Sequence, residues 1–152
     1  KLQGSVLQSF DAFLLIRGMR TLFLRFEKAT ENATRIAHHF EHHKLIEKVL
    51  YPGLASHPGH AIQAAQTSRL FGGMMSLITK GNKQTAIDVA RYCNVFYPAT
   101  SLGGVESLIE HRATLSGDDS PVHPNLLRLS IGIEDVNDLI DDLEQALERA
   151  NT

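Results

Sequence analysis

Arg128 stands between leucines in Leu126-Leu-Arg-Leu-Ser-Ile-Gly-Ile-Glu-Asp135. The alternation of that run predicts a strand with Leu127, Leu129 and Ile131 on one face and Arg128 and Ser130, beside Leu126, on the other. A guanidinium is rarely left among apolar neighbours without an anion. Its planar fork grips a carboxylate by two parallel hydrogen bonds. The anion could be a ligand, or a structural partner such as Glu106 or Glu134. Pattern alone leaves both open, because buried ion pairs and ligand sites look alike in sequence.

The histidines offer a second chemistry. In His38-His-Phe-Glu-His-His43 the pairs His38/His42 and His39/His43 stand four apart, so each could hold a metal from one helical face. No third ligand is identifiable and no His-Glu-x-x-His pattern is present. Imidazoles at a helix end that favour its terminal carbonyls explain them without a metal. His57 and His60, in Ser56-His-Pro-Gly-His60, are read as structural: Ser56 or His57 could cap a helix with Pro58 in its first turn. Lys80 ends a strand before Gly81-Asn82 and reads as a solvated turn lysine.

A third stretch, Tyr97-Pro-Ala-Thr-Ser-Leu-Gly-Gly-Val-Glu-Ser-Leu-Ile-Glu-His111, breaks at Gly103-Gly104 between β-favouring runs. A paired glycine there marks backbone that turns sharply or lets something approach closely.

Around these residues the periodicity predicts alternating helices and strands. Ser9 caps a first helix carrying Phe10, Phe13, Leu14 and Ile16 and stopping at Gly18. A longer helix begins near Leu22, with Phe26, Ala29, Ala33, Ile36, Ala37 and Phe40 as its apolar stripe and Arg25, Glu27, Lys28, Glu31 and Arg35 on its solvated face. A strand is expected over 45–51, then a helix burying Ala61, Ile62, Ala65 and Leu70. A strand over 72–80 follows, then a helix packing Ala86, Ile87, Ala90 and Cys93 inward. Residues 116–121 are a loop by composition. Asp135 caps the last helix, whose stripe is Val136, Leu139, Ile140, Leu143, Ala146 and Leu147; Asp138, Asp141, Asp142 and Glu144 form its wet face. Two long helices at the start and one at the end suffice to cover one face of a sheet. The expected fold class is α/β: an α+β sandwich with a small, mainly antiparallel sheet of three or four strands covered by helices, in a single domain over 1–152.

The 152 residues suit one domain with a real core. Charged residues at 21% and hydrophobic ones at 43% fit a globular chain rather than a disordered one. A net charge of -2 gives no reason to expect nucleic acid or an anionic membrane as partner. The single Cys93 excludes an internal disulfide and suits a reducing cytoplasm. The first residue is not methionine, so a longer parent is expected.

The run Ser101-Leu-Gly-Gly-Val-Glu-Ser-Leu-Ile109, followed at the right distance by Leu126-Leu-Arg-Leu-Ser-Ile-Gly-Ile-Glu-Asp135, resembles the signatures of the Cys/Met-metabolism, or trans-sulfuration, family of pyridoxal-phosphate enzymes. The resemblance extends to Ser9-Phe-Asp-Ala-Phe-Leu-Leu-Ile-Arg-Gly-Met-Arg-Thr-Leu22, His57-Pro-Gly-His60 and Gly72-Gly-Met-Met-Ser76, and into the final helix. It implies the C-terminal small domain of an aspartate-aminotransferase-type fold. The cofactor-binding large domain, with its lysine, is expected upstream. Lys80 is a decoy for that lysine, since it follows the segment the family's lysine precedes.

The resemblance further implies that Arg128 holds the substrate α-carboxylate and that Ser101 lies beside cofactor and substrate. Thr100, where many relatives have an acidic residue, and Leu102 would complete the substrate-binding set. After His111 many relatives continue to a Met-Thr-His, whereas this chain has His111-Arg-Ala-Thr-Leu-Ser116; the branch of the family therefore stays unresolved, with a lean toward handling cystathionine. Pyridoxal phosphate would be the cofactor, β- or γ-elimination or replacement on a sulfur amino acid the reaction, and a homotetramer the assembly. The fragment alone would be inactive. A stand-alone α/β regulatory or oligomerisation domain is the other reading of the same pattern.

Overall fold

The computed structural model describes residues 4, 6–117 and 120–152; Asp118 and Asp119, within the expected 116–121 loop, lie outside them. The described residues form eleven elements in chain order: α1 (Ser9–Met19), α2 (Leu22–Phe40), β1 (Ile46–Leu50), α3 (His60–Thr67), β2 (Met74–Thr79), α4 (Lys83–Tyr92), β3 (Tyr97–Pro98), β4 (Leu108–His111), α5 (Arg112–Ser116), β5 (Leu126–Ser130) and α6 (Val136–Ala150).

The strands form one five-stranded sheet in the order β1-β2-β5-β4-β3. Three of its pairings are antiparallel, and only the two-residue β3 runs parallel to β4. The fold class is as the alternation predicts, with one more strand than expected. Met75, Leu129 and Ile109 stand across from one another in register, as do Leu77 and Leu127. These side chains are buried under α2, α4 and α6, against Ile36, Phe40, Val89, Leu139 and Leu143. A fully buried leucine or phenylalanine contributes about 1.5–3 kcal/mol of apolar transfer, so this layer dominates the fold's stability.

The local signals that hold are those with a stated mechanism. Asn82 accepts from the Thr85 amide at 3.0 Å and Thr85 returns the contact, a capping box that starts α4 at the turn glycine's exit. Asp135 accepts from the Asn137 amide at 2.8 Å and caps α6.

Several expectations are corrected. Helix α1 runs through Gly18 to Met19 and buries none of its residues. Phe10, Phe13 and Ile16 are 69%, 57% and 63% exposed, so this helix covers no sheet in these residues. Phe26, at the start of the α2 stripe, is exposed too. Helix α3 begins at His60, after Pro58 rather than around it, and has no side-chain cap. Its expected buried side is open, with Ile62 exposed. His57 instead accepts the Gly59 amide at 3.1 Å, and His60 Nδ1 lies 2.7 Å from the Pro52 carbonyl while its ring stacks on Phe71. In α4, Val89 is fully buried where Ile87 was expected. Asp142, placed on the wet face of α6, is buried.

His39 and His43 do not act only on the helix end. Their Nε2 atoms reach the two oxygens of Glu144 at 2.7 and 3.1 Å, tying the end of α2 to α6. His42 lies beyond the helix, and among the described residues no group of three metal-ligating side chains comes together.

Candidate carboxylate-binding site

The two segments singled out in the sequence meet in space, and one builds the other. Residue by residue, the 126–135 run is bonded to the 97–111 run. Arg128 donates through Nη1 to the Thr100 carbonyl at 3.0 Å. The Ser130 hydroxyl accepts the Gly103 amide at 3.3 Å. The Ile133 amide donates to the Val105 carbonyl at 2.9 Å. Glu134 accepts both the amide and the hydroxyl of buried Ser107, at 2.6 and 2.9 Å, and the Gly132 amide donates to that same hydroxyl at 2.9 Å. From below, Asn32 of α2 donates to the carbonyls of Gly132 and Glu134 at 3.1 and 2.9 Å.

The glycines have separate reasons. Gly103 turns at φ 76°, a left-handed conformation that L side chains rarely adopt. A Cβ on Gly132 would run into the Val105 carbonyl, so only glycine lets the two segments approach. An exposed loop is thereby held in one shape by buried polar groups.

Glu134→Gln should loosen this loop. The amide would set an NH2 against either the Ser107 N–H or its hydroxyl, and we expect a loss of about 1–3 kcal/mol. Hydrogen exchange at the Ser107 amide reads it directly: protection there should fall while protection in β2 is kept.

Arg128 lies on β5 with Ser76 of β2 and Glu110 of β4 as its neighbours in register. Its side chain keeps 22% exposure, and Nη1 reaches Glu110 Oε2 at 2.9 Å. The structural partner is thus Glu110. It is neither Glu106 nor Glu134, the latter being spent on Ser107. Among the described residues no acceptor meets Nε or Nη2 of Arg128. That edge of the fork is available to an anion.

The other expected site residues lie on the adjoining loop. Thr100 contributes its carbonyl to Arg128 and is exposed; Ser101 is exposed and its side chain has no hydrogen-bond partner among the described residues. Leu102 is 59% exposed and walls a cavity of about 450 Å³ with Phe26, Phe71, Gly103, Ser130 and Ile131. This volume is within the range of small-molecule pockets. Thr100 and Glu110 line a second hollow of about 380 Å³, together with Ile87, Ala90 and Arg91 of α4. Sequence reasoning missed Glu110. Its only signal was an acid in an apolar strand opposite the arginine's strand.

A profile of the family described as "Cys/Met metabolism PLP-dependent enzyme" matches residues 1–148. The chain belongs to this family. It is 48% identical over 149 residues to a cystathionine gamma-synthase of Mycobacterium tuberculosis, covering 95% of this chain and 38% of the relative. A cystathionine beta-lyase of Coxiella burnetii is 42% identical over 152 residues, with 39% of its length covered. Among solved structures, cystathionine gamma-lyase from yeast superposes with a TM-score of 0.89 at 36% identity, over 99% of this chain and 41% of that one. Cystathionine gamma synthase from Xanthomonas oryzae pv. oryzae, in complex with cystathionine, superposes with a TM-score of 0.86 at 43% identity, over 93% and 38%. The chain therefore spans about two fifths of the length of the family members it matches. The family's cofactor is pyridoxal phosphate. The cluster of Arg128, Glu110, Thr100, Ser101 and Ser130 offers an anion grip and hydroxyls but no amine to take up the cofactor's aldehyde, so none of these residues can hold the cofactor covalently.

Proposed function

We propose that these residues form the substrate-carboxylate-binding domain of a pyridoxal-phosphate-dependent trans-sulfuration enzyme acting on cystathionine or a related sulfur amino acid. The reaction is β- or γ-elimination or replacement. The single observation that carries this reading is the half-open fork of Arg128, held by Glu110 and the Thr100 carbonyl and facing no protein acceptor on its other edge. Family membership supplies the reaction class, and relatives named as cystathionine synthases and lyases supply the substrate class.

Bound pyridoxal phosphate supplies an electron sink for carbanions next to the substrate amine. The work of this chain is orientation. Arg128 anchors the carboxylate, which leaves the substrate little freedom about Cα and sets its Cα–H bond for proton removal. On this reading Ser101 and Thr100, on the exposed loop beside Arg128, bond the substrate's polar atoms, and Leu102 with the apolar cavity beside it shields the reacting end from water. The lysine that carries the cofactor would come from sequence outside these residues. The open apolar surface of α1 and the start of α2, with Phe10, Phe13, Ile16, Phe23 and Leu24 all exposed, supports docking of that cofactor domain or of another subunit.

The test uses the full gene product. A yellow protein whose absorbance changes saturably with cystathionine, and more weakly with methionine, is the expected result. A colourless protein that is indifferent to both overturns the reading and restores a regulatory or oligomerisation domain.

A further inference from the structure

Glu110 is an acid with 5% exposure, and binding a carboxylate beside it looks at first unfavourable. Its two oxygens are divided between two arginines. Oε2 takes Arg128 Nη1 at 2.9 Å, and Oε1 takes Arg112 Nη1, from the first residue of α5, at 2.6 Å. Two guanidiniums and one carboxylate leave one positive charge in excess, so the cluster still attracts an anion. The division also has a geometric consequence. An acid with a single arginine partner tends to lie along the fork and close it with two parallel bonds. Drawn toward Arg112, Glu110 meets only Nη1, and the Thr100 carbonyl takes that same nitrogen from the other side.

The geometry points to Glu110 as the positioning residue for Arg128: it fixes the guanidinium so that the Nε and Nη2 edge is presented to a substrate carboxylate, with Arg112 as the counter-hold that keeps Glu110 from covering that edge. This rests on the reading of Arg128 as the carboxylate grip. Without Glu110 two guanidiniums would repel across the space it occupies, and Arg128 would turn to solvent and have to be reordered at each binding event. Glu110 itself touches no substrate atom.

The experiment is a comparison of two probes on the full-length holoenzyme by calorimetry. L-norleucine carries the carboxylate and no sulfur leaving group; pentan-1-amine is the same molecule without the carboxylate. The ratio of their affinities reports the carboxylate grip alone, and a general structural loss does not move it selectively. Glu110→Gln should lower that ratio about tenfold, with the amine's affinity unchanged, as expected for one ordered side chain and one charged hydrogen bond lost. Arg112→Gln, at a half-exposed position, should lower it as well by letting Glu110 swing across the fork, and serves where Glu110→Gln does not accumulate. If both variants keep the wild-type ratio while Arg128→Ala abolishes it, Glu110 has no positioning role and the carboxylate site stands. If Arg128→Ala also keeps the ratio, the carboxylate site itself falls.

Discussion

Arg128→Ala in the full gene product is expected to weaken binding of an α-amino-acid substrate roughly a hundredfold, about 3 kcal/mol. Two charge-assisted hydrogen bonds are lost, at about 1.5 kcal/mol each at the low end of their range. The loss should not come from folding. Glu110 keeps Arg112 at 2.6 Å after the substitution, so no buried carboxylate is left without a cation. The Thr100 carbonyl loses a donor at an exposed position where water replaces it. The melting temperature should therefore fall by only a few degrees, while KM rises with the lost grip and kcat falls with the lost orientation of the Cα–H bond. Arg128→Lys distinguishes charge from shape. A lysine at this position brings the positive charge without the planar fork, so it should recover no more than about tenfold of the loss. A variant that saturates with substrate at the wild-type concentration would remove Arg128 from the site and leave it as a strand-to-strand ion pair.

Why Arg128 was legible and its partner was not follows from how each is encoded. The arginine stands on the polar side of its own strand's alternation, between two leucines, a signal contained in five consecutive residues. Its partner depends on the β4–β5 register, which sets Glu110 opposite Arg128 and is a relation between two segments 18 residues apart. A reading confined to nearby glutamates reaches Glu106 and Glu134 instead. The same distinction separates the helices. In α6 the stripe from Val136 to Leu147 found its partners within the chain and is buried as the period implied, except that Ile140 is half-buried. In α1 apolar residues recur as well, though spread more widely around the helix, and periodicity states which residues seek cover and not where the cover is. The helix is exposed because nothing among the described residues packs on it. For α3 the misplaced start has a local cause: Pro58 fits a first helical turn as well as the turn before one, and the His57 ring caps the Gly59 amide to favour the second. Glu144 is a case between the two, since its place on the polar side of α6 was right but its partners His39 and His43 belong to α2.

Asp142→Ala should destabilise the domain by about 3–5 kcal/mol, a large share of the roughly 5–15 kcal/mol that holds a domain of this kind folded. Asp142 reads as one of the acids of the wet face, yet it stands three residues after Leu139 and four before Ala146, at the edge of the buried stripe, and turns toward the loop that leaves α4. Its Oδ1 accepts the Asn94 amide at 2.7 Å, and its Oδ2 accepts the amides of Val95 and Phe96 at 2.8 and 3.0 Å. Three successive N–H groups converging on one carboxylate close the end of α4 much as a cap closes a helix start. Gln145 steadies the arrangement by donating to Asp142 Oδ1 at 3.1 Å and to the Tyr92 carbonyl at 2.7 Å. The nearby Cys93 thiol is pushed up by burial and further by this carboxylate, which keeps it protonated. Alanine would leave the three donors facing a buried void, each costing about 1–3 kcal/mol with partial relief from water. Asp142→Asn keeps the shape but turns an NH2 toward at least one of the same donors, so it should recover less than half of the loss. Asp141→Ala, one residue earlier and exposed, is the control and should change stability by no more than about 0.5 kcal/mol. Urea unfolding with hydrogen exchange at residues 94–96 measures all three. The loop's consequence for the site is direct: it feeds Phe96 into the core and then β3, whose end begins the segment carrying Thr100 and Ser101. An Asp142 variant that unfolds like the Asp141 control would mean that the 94–96 amides find other acceptors, and the path from α4 to the candidate site would then be held by β3 and β4 alone.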